Sequence, residues 1–209
     1  MDKADEREQF DCVNLKNYLV SETAVSGGEN DIEKLLSTFS CPKNPDVETF
    51  LRKNAISFTK KNQSITYLVF SKEDTELVGY FSLTVKPVTI QTEGMSNTVR
   101  RKMDRLSHFD KEVGGYIIAA YLIAQLGKNY DAALRHSISG NMLLDMAIEV
   151  LQEIQYDLGG LIVYLECEDR EALLQFYQEQ NGFRRFGERI TENPGETEPH
   201  RLIQLMNFL

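Results

Sequence analysis

The residues best suited to chemistry lie between Arg135 and Phe183. Arg135-His136-Ser137-Ile138-Ser139-Gly140 is a loop of small and basic residues that opens a long, apolar-striped helix. The first amides of a helix lack intrahelical partners, and with the positive end of the helix dipole they bind phosphate groups. Gly140 allows close backbone approach, Ser137 and Ser139 offer hydroxyl donors, and Arg135 adds charge. Ordinary capping also produces a serine-glycine helix start, so the loop by itself decides nothing. Further on, Tyr177 sits on a helix that follows a buried strand. A tyrosine is protonated at neutral pH and can act as general acid toward a departing thiolate. The alternative for Tyr177 is a packed aromatic with a satisfied hydroxyl, since Phe176 and Phe183 beside it supply core area.

These groups need elements to position them. Tyr116 to Leu126 is an almost continuous apolar run bounded by Gly114-Gly115 and Gly127, which predicts a buried central strand. The helix from Gly140 to about Asp157 carries Leu143, Leu144, Ala147, Val150, Leu151 and Ile154 on one side and closes at Gly159-Gly160. A strand at 161–167 and a helix at 170–180 capped by Asp169 follow. Ligands in such sheets sit beyond the carboxyl ends of the strands, so Leu126, Gly127 and Lys128 should converge with the 135–142 loop.

Upstream, Leu15 to Ser21 reads as a strand in an N-terminal arm of residues 1–30 that could join a sheet edge. Asp31 is expected to cap a helix over Ile32 to Phe39, and Asp46 to cap one running to Phe58. Ile65 to Ser71 and Leu77 to Val85 predict an antiparallel hairpin, with Gly79 marking a bulge or a close backbone approach. Residues 91–115 read as an inserted loop with a short helix, Asn97 to Leu106. Phe183 to Ile190 and Leu202 to Phe208 read as strands flanking a turn-rich Thr191 to His200. One α+β domain covers residues 31–209.

Composition bounds the function. The chain has 209 residues, 42% hydrophobic and 26% charged, an ordinary globular balance. No apolar run reaches the roughly 20 residues that span a bilayer, and Met1 to Gln9 lacks the apolar stretch of a secretory signal, so a cytoplasmic location without membrane contact is expected. Three cysteines, Cys12, Cys41 and Cys167, lie far apart, so no disulfide framework and no metal site is expected. The net charge of −9 argues against nucleic acid as a general partner, and Arg100-Arg101-Lys102 with Arg105 reads first as a solvated helix face.

At Arg135 to Gly140 the chain resembles the GNAT superfamily of acyl-coenzyme A N-acetyltransferases, whose loop (Arg/Gln)-x-x-Gly-x-(Gly/Ala) opens a helix and holds the coenzyme A pyrophosphate. Arg135 and Gly140 match its ends, while Ile138 stands where the middle glycine is usual. Phe176-Tyr177-Gln178-Glu179-Gln180-Asn181-Gly182-Phe183 is similar to the family's Phe-Tyr-x-x-x-Gly-Phe ending with one extra residue, and Arg170 stands where an asparagine is common. Cys41 to Ser71 and Gly79 to Leu83 resemble the branch that includes toxins acetylating aminoacyl-tRNA. The resemblance implies a mixed sheet flanked by helices and acetyl-coenzyme A as co-substrate with no metal. It implies Tyr177 as the thiolate's proton donor, Ile138, Ser139, Gly140, Asn141 and Met142 with Arg135 at the pyrophosphate, and backbone near Leu126, Gly127 and Lys128 at the thioester oxygen. The acceptor is an amine of a small molecule or a protein, or an aminoacyl-tRNA. Glu166 or Glu168 could act as base through water, and a domain that binds without catalysis, or that forms a homodimer, stays open.

Overall fold

The computed structural model describes residues 6–20, 28–93, 95–191 and 200–209. Among these residues eight strands form one mixed sheet in the order β1-β2-β3-β5-β6-β8-β7, with β4 paired to β5. They are β1 Phe10–Asn14, β2 Ile65–Ser71, β3 Leu77–Gln91, β4 Phe109–Asp110, β5 Gly115–Lys128, β6 Ile162–Glu168, β7 Arg184–Thr191 and β8 His200–Phe208. The helices are α1 Leu15–Val20, α2 Gly28–Ser37, α3 at residues 45–60, α4 Asn97–Met103, α5 Gly140–Leu158 and α6 at residues 171–180. β5 and β6 run parallel, with Tyr121 opposite Val163, and the hairpin pairs β2–β3 and β7–β8 are antiparallel. The mixed sheet flanked by helices is the α+β architecture expected. By packing, the chain divides into residues 1–84 with 123–150, and residues 85–122 with 151–209.

In the first unit the edge strand is real but lies earlier than expected. Phe10–Asn14 pairs with β2, whereas Leu15–Val20 is helical. The Asn14 side chain accepts from the Lys16 amide at 2.9 Å, which ends the strand and turns the chain into a helix. Leu15, fully buried, anchors it in a core with Leu36, Phe39, Leu51, Leu68 and Tyr80. α2 begins ahead of Asp31, whose carboxylate pairs with Lys34 within the helix instead of capping it. Asn44, not Asp46, caps α3: its side chain accepts from the Asp46 and Val47 amides, and Pro45 fills the first helical position where no donor is missed. The middle of α3, Phe50–Asn54, is a π-turn. Val47, Leu51 and Ala55, spaced by four, are buried.

The β2–β3 hairpin has the predicted pairing, and β3 continues past Val85 to Gln91. Both expectations for Gly79 hold. The register slips between Val69↔Gly79 and Phe70↔Leu77, and a methyl group on Gly79 would lie 3.1 Å from the Gly127 carbonyl and 3.3 Å from Leu143.

In the second unit the described part of the expected insertion, residues 91–93 and 95–115, is structured. Ser96 caps α4 by accepting from the Val99 amide, Met103 is fully buried, and β4 pairs with the start of β5. The Tyr116 hydroxyl donates to Asp104 at 2.6 Å, tying α4 to that strand. β6 pairs antiparallel with β8 from Ile162↔Phe208 to Glu168↔Leu202. Asp169 does not cap α6: the cap position is Arg170 without a side-chain bond, and Asp169 faces Arg201 at 3.7 Å. Most of the expected turn between β7 and β8 lies outside the described residues.

Candidate functional site

The first unit gathers the residues expected at the donor site. β5 ends at Lys128, and the chain is then fixed by Asn129, which is buried. Its side chain donates to the Leu77 carbonyl at 2.8 Å and accepts from the Ser40 amide at 2.9 Å and the Asp131 amide at 3.0 Å. Sequence reasoning passed over Asn129; its only signal was a polar residue directly after a buried strand. Gly127 is packed so closely that an added methyl would stand 2.4 Å from the Val47 side chain and 3.0 Å from the Tyr80 ring. Leu126 and Lys128 are partly exposed. The Lys128 and Lys43 ammonium groups approach the exposed Tyr130 ring at 5.7 and 4.7 Å. Burial and the neighbouring Lys43 lower the pKa of Lys128.

The loop then runs to α5. Arg135 is exposed, and its amide donates to Glu76 at 2.9 Å. Ser139 caps the helix: its hydroxyl accepts from the Met142 amide at 3.0 Å and its carbonyl from the Leu143 amide at 3.1 Å. No acidic residue stands in the first turn of this 19-residue helix. An anion is stabilised at such a helix start by its dipole and its orphan amides, and no carboxylate of the first turn competes for that place. Gly79 leaves room for this start beside the end of β5, because a methyl group there would press on both the Gly127 carbonyl and Leu143 of α5. Ile138, at the position where the resembling loop has glycine, turns its side chain into the protein and is 1% exposed.

Tyr177 belongs to the second unit and lies on the π-turn Gln175–Gln180 of α6. Its ring meets Phe176 at 4.8 Å and Phe183 at 6.0 Å, both edge-on. Burial, with Cys167 adding to it, raises its pKa, so the phenol is protonated throughout the neutral range. Cys167 is buried and its thiol is pushed up to about 11, mainly by burial, so it is a packed thiol and no thiolate nucleophile. Glu166 is held by Arg189 at 3.0 Å and Gln204 at 2.9 Å, and Glu168 pairs with Arg170. Neither expected strand-end carboxylate stands unpaired.

No protein-family model and no curated protein matches the sequence. Solved structures match in three dimensions. A bacterial toxin superposes with a TM-score of 0.57 at 17% identity over 94% of this chain and 90% of its own. AtaT complexed with acetyl-methionyl-tRNAfMet gives 0.59 at 14% identity over 93% of both chains. A tyrosine-to-phenylalanine mutant of KacT gives 0.57 at 14% identity, covering 94% of this chain and 95% of that one. Among the described residues no helix is long and apolar enough to cross a membrane. The order of the sheet, the helix-opening loop after β5 and these superpositions agree: the chain has the fold of the GNAT acetyltransferases, in the form of the toxin-type structures it is similar to.

Proposed function

We propose that residues 31–209 form an acetyl-coenzyme A-dependent N-acetyltransferase acting in the cytoplasm. The observation that carries this reading is the start of α5, capped by Ser139, free of acidic residues in its first turn and given room by Gly79 beside the end of β5. A pyrophosphate fits that site: it supplies the negative charge that the helix start lacks, and Arg135 is exposed beside it.

In this reading the amides from Ile138 to Asn141 and Arg135 hold the pyrophosphate, and the backbone of Leu126, Gly127 and Lys128 faces the thioester. Met142 stands behind them, its amide already taken by Ser139. A neutral amine of the acceptor attacks the acetyl carbonyl carbon. The C–N bond forms, the C–S bond breaks, the amine's surplus proton passes to solvent, and Tyr177 protonates the departing thiolate. The raised Tyr177 pKa keeps the phenol protonated in the neutral range and also makes it a weaker acid than a free tyrosine, so the role rests on the resemblance and on the Tyr177→Phe test below.

Two acceptor readings have support. AtaT was solved with acetyl-methionyl-tRNAfMet and with the C-terminus of the antitoxin AtaR, which favours an aminoacyl-tRNA amine and an antitoxin partner. The net charge of −9 favours a small-molecule or protein amine. Purified protein given radiolabelled acetyl-coenzyme A and either charged tRNA or free amines distinguishes them. Tyr177→Phe should lower turnover by about 10²-fold, the scale of one general acid, with coenzyme A affinity unchanged. Full turnover in Tyr177→Phe removes its role, and the absence of coenzyme A binding removes the whole reading.

A further inference from the structure

His136 lies in the loop that opens α5, yet none of the roles above uses it. Its Nδ1 stands 2.8 Å from Asp74 Oδ2 and its Nε2 3.0 Å from Glu73 Oε2. A carboxylate only accepts, so the Nδ1 hydrogen-bonded to Asp74 carries hydrogen, and with the second nitrogen protonated as well the imidazolium also pairs with Glu73. Glu73, Asp74 and Glu76 of the β2–β3 turn face it, and Arg135 is its charged neighbour on the loop. The turn is built for this. Asp74 also accepts from the Glu76 amide at 3.3 Å, Glu76 in turn accepts from the Arg135 amide at 2.9 Å, and the turn closes through Thr75 N to Ser71 O at 2.9 Å. Thr75 sits at φ 58° to achieve it, a left-handed geometry that is unfavourable by about 1–2 kcal/mol for a residue with a Cβ. Two consecutive loop residues are thereby fastened to one turn.

We propose that His136 is a positioning residue, an imidazolium clamp that holds the phosphate-binding loop on the β2–β3 turn, so that coenzyme A affinity falls as His136 loses its proton. The affinity half rests on the acetyltransferase reading; the clamp itself does not. The hydrogen bond that His136 donates to Asp74 raises His136 above its ordinary 6.5 against the opposing effect of burial, and Glu73 and Glu76 add to the rise. The sign follows. A raised histidine contributes fully below its unfolded pKa, and the contribution is lost as the pH rises through the folded one. Above that point one nitrogen becomes a lone pair facing a carboxylate, and three carboxylates stand beside the loop without their cation. An incoming pyrophosphate then meets uncompensated negative charge. By linkage, the bound anion in turn holds the proton on His136 more tightly.

Three carboxylate and imidazole groups, Asp74, Glu76 and His136, also lie close enough for one cation. One ring nitrogen is hydrogen-bonded to Asp74 and the other stands 3.0 Å from Glu73, which is the arrangement of a proton clamp, and zinc would compete for the same nitrogen.

The experiment combines histidine NMR with calorimetry of coenzyme A binding from pH 6 to pH 9. The His136 resonance should titrate above 6.5 and return toward it in Asp74→Asn. Coenzyme A affinity should fall about fivefold or more across the range, the low end of ordinary two-site coupling. His136→Gln should bind weakly at every pH with a flat profile, and His136→Arg, with a permanent cation and a fork for two carboxylates, should bind tightly with a flat profile. A purely structural histidine would not be rescued this way. An unshifted His136, an alkaline loss that survives in His136→Gln, or one zinc ion bound per chain at His136 overturns the proposal. A shifted His136 with no coenzyme A binding at any pH supports the clamp and overturns both the affinity half and the acetyltransferase reading.

Discussion

Replacing Ile138 by glycine tests whether the helix-opening loop departs from its relatives in function or only in sequence. Read as a motif, Ile138 intrudes where a phosphate should pass, and Ile138→Gly ought to tighten coenzyme A binding. The structure implies the reverse, because the side chain is 1% exposed and belongs to the core. Ile→Val in such a site costs about 0.5–1.5 kcal/mol and Ile→Ala about 2–5 kcal/mol, the excess over transfer coming from the cavity. Glycine adds about 1 kcal/mol of backbone entropy. Against a typical stability of about 5–15 kcal/mol, Ile138→Gly removes a large fraction. With a urea slope of about 2 kcal/mol/M, a 3 kcal/mol loss moves the unfolding midpoint by about 1.5 M. Urea unfolding of the Val, Ala and Gly variants should give midpoints falling in that order. Calorimetry at low temperature, where the variants stay folded, should show coenzyme A affinity unchanged or weaker. An unchanged midpoint in Ile138→Ala would refute the burial argument. A tenfold tighter affinity in Ile138→Gly would refute the claim that the side chain lies clear of the ligand.

Two more substitutions test the frame around that loop. Asn129→Ala should strand the Leu77 carbonyl and the Ser40 and Asp131 amides, at about 1–3 kcal/mol for each group left buried without a partner. Its thermal midpoint should fall by several degrees, and an unchanged midpoint would mean the three bonds are not made. Gly127→Ala should lower stability by about 1–3 kcal/mol through overpacking, since its methyl would stand 2.4 Å from Val47. In Gly127→Ala combined with Val47→Ala much of that loss should return, whereas simple additivity of the two would mean the contact is absent.

Much of this arrangement is legible in the sequence because it obeys a period. The strand β2, the apolar strand β5 and the striped helix α5 lie within two residues of their predicted bounds, and β3 begins as predicted but runs six residues longer. The errors fall where a single side chain decides. Leu15 to Val20 is apolar enough for either strand or helix, and the Asn14 carboxamide on the Lys16 amide selects helix. Asp46 is a good cap by type, but Asn44 followed by Pro45 is a better one. The carboxylates that hold His136 are remote from it in the chain, and they meet it only because the β2–β3 turn folds over the loop. No local pattern carries such a contact.

The extra residue between Tyr177 and Gly182 has a different status, visible in the sequence but explained only by the structure. One added residue in an α-helix turns everything after it by about 100°. It would carry Gly182 and Phe183 off the face they must occupy, or turn Tyr177 away from it. The wider turn Gln175–Gln180 absorbs the residue instead, as π-turns do, by taking it up within one turn. The helix then ends in an orderly way: the Gly182 amide reaches the Gln178 carbonyl, the Phe183 amide reaches the Tyr177 carbonyl at 2.9 Å, and Gly182 takes φ 70°. Phe183 is still buried against the Tyr177 ring. If that accommodation is what keeps Tyr177 in place, deleting Gln180 should straighten α6 to a plain helix and leave the fold standing. Deleting a residue from the regular part of α5 has no wide turn to remove, and should rotate its buried face out of the core.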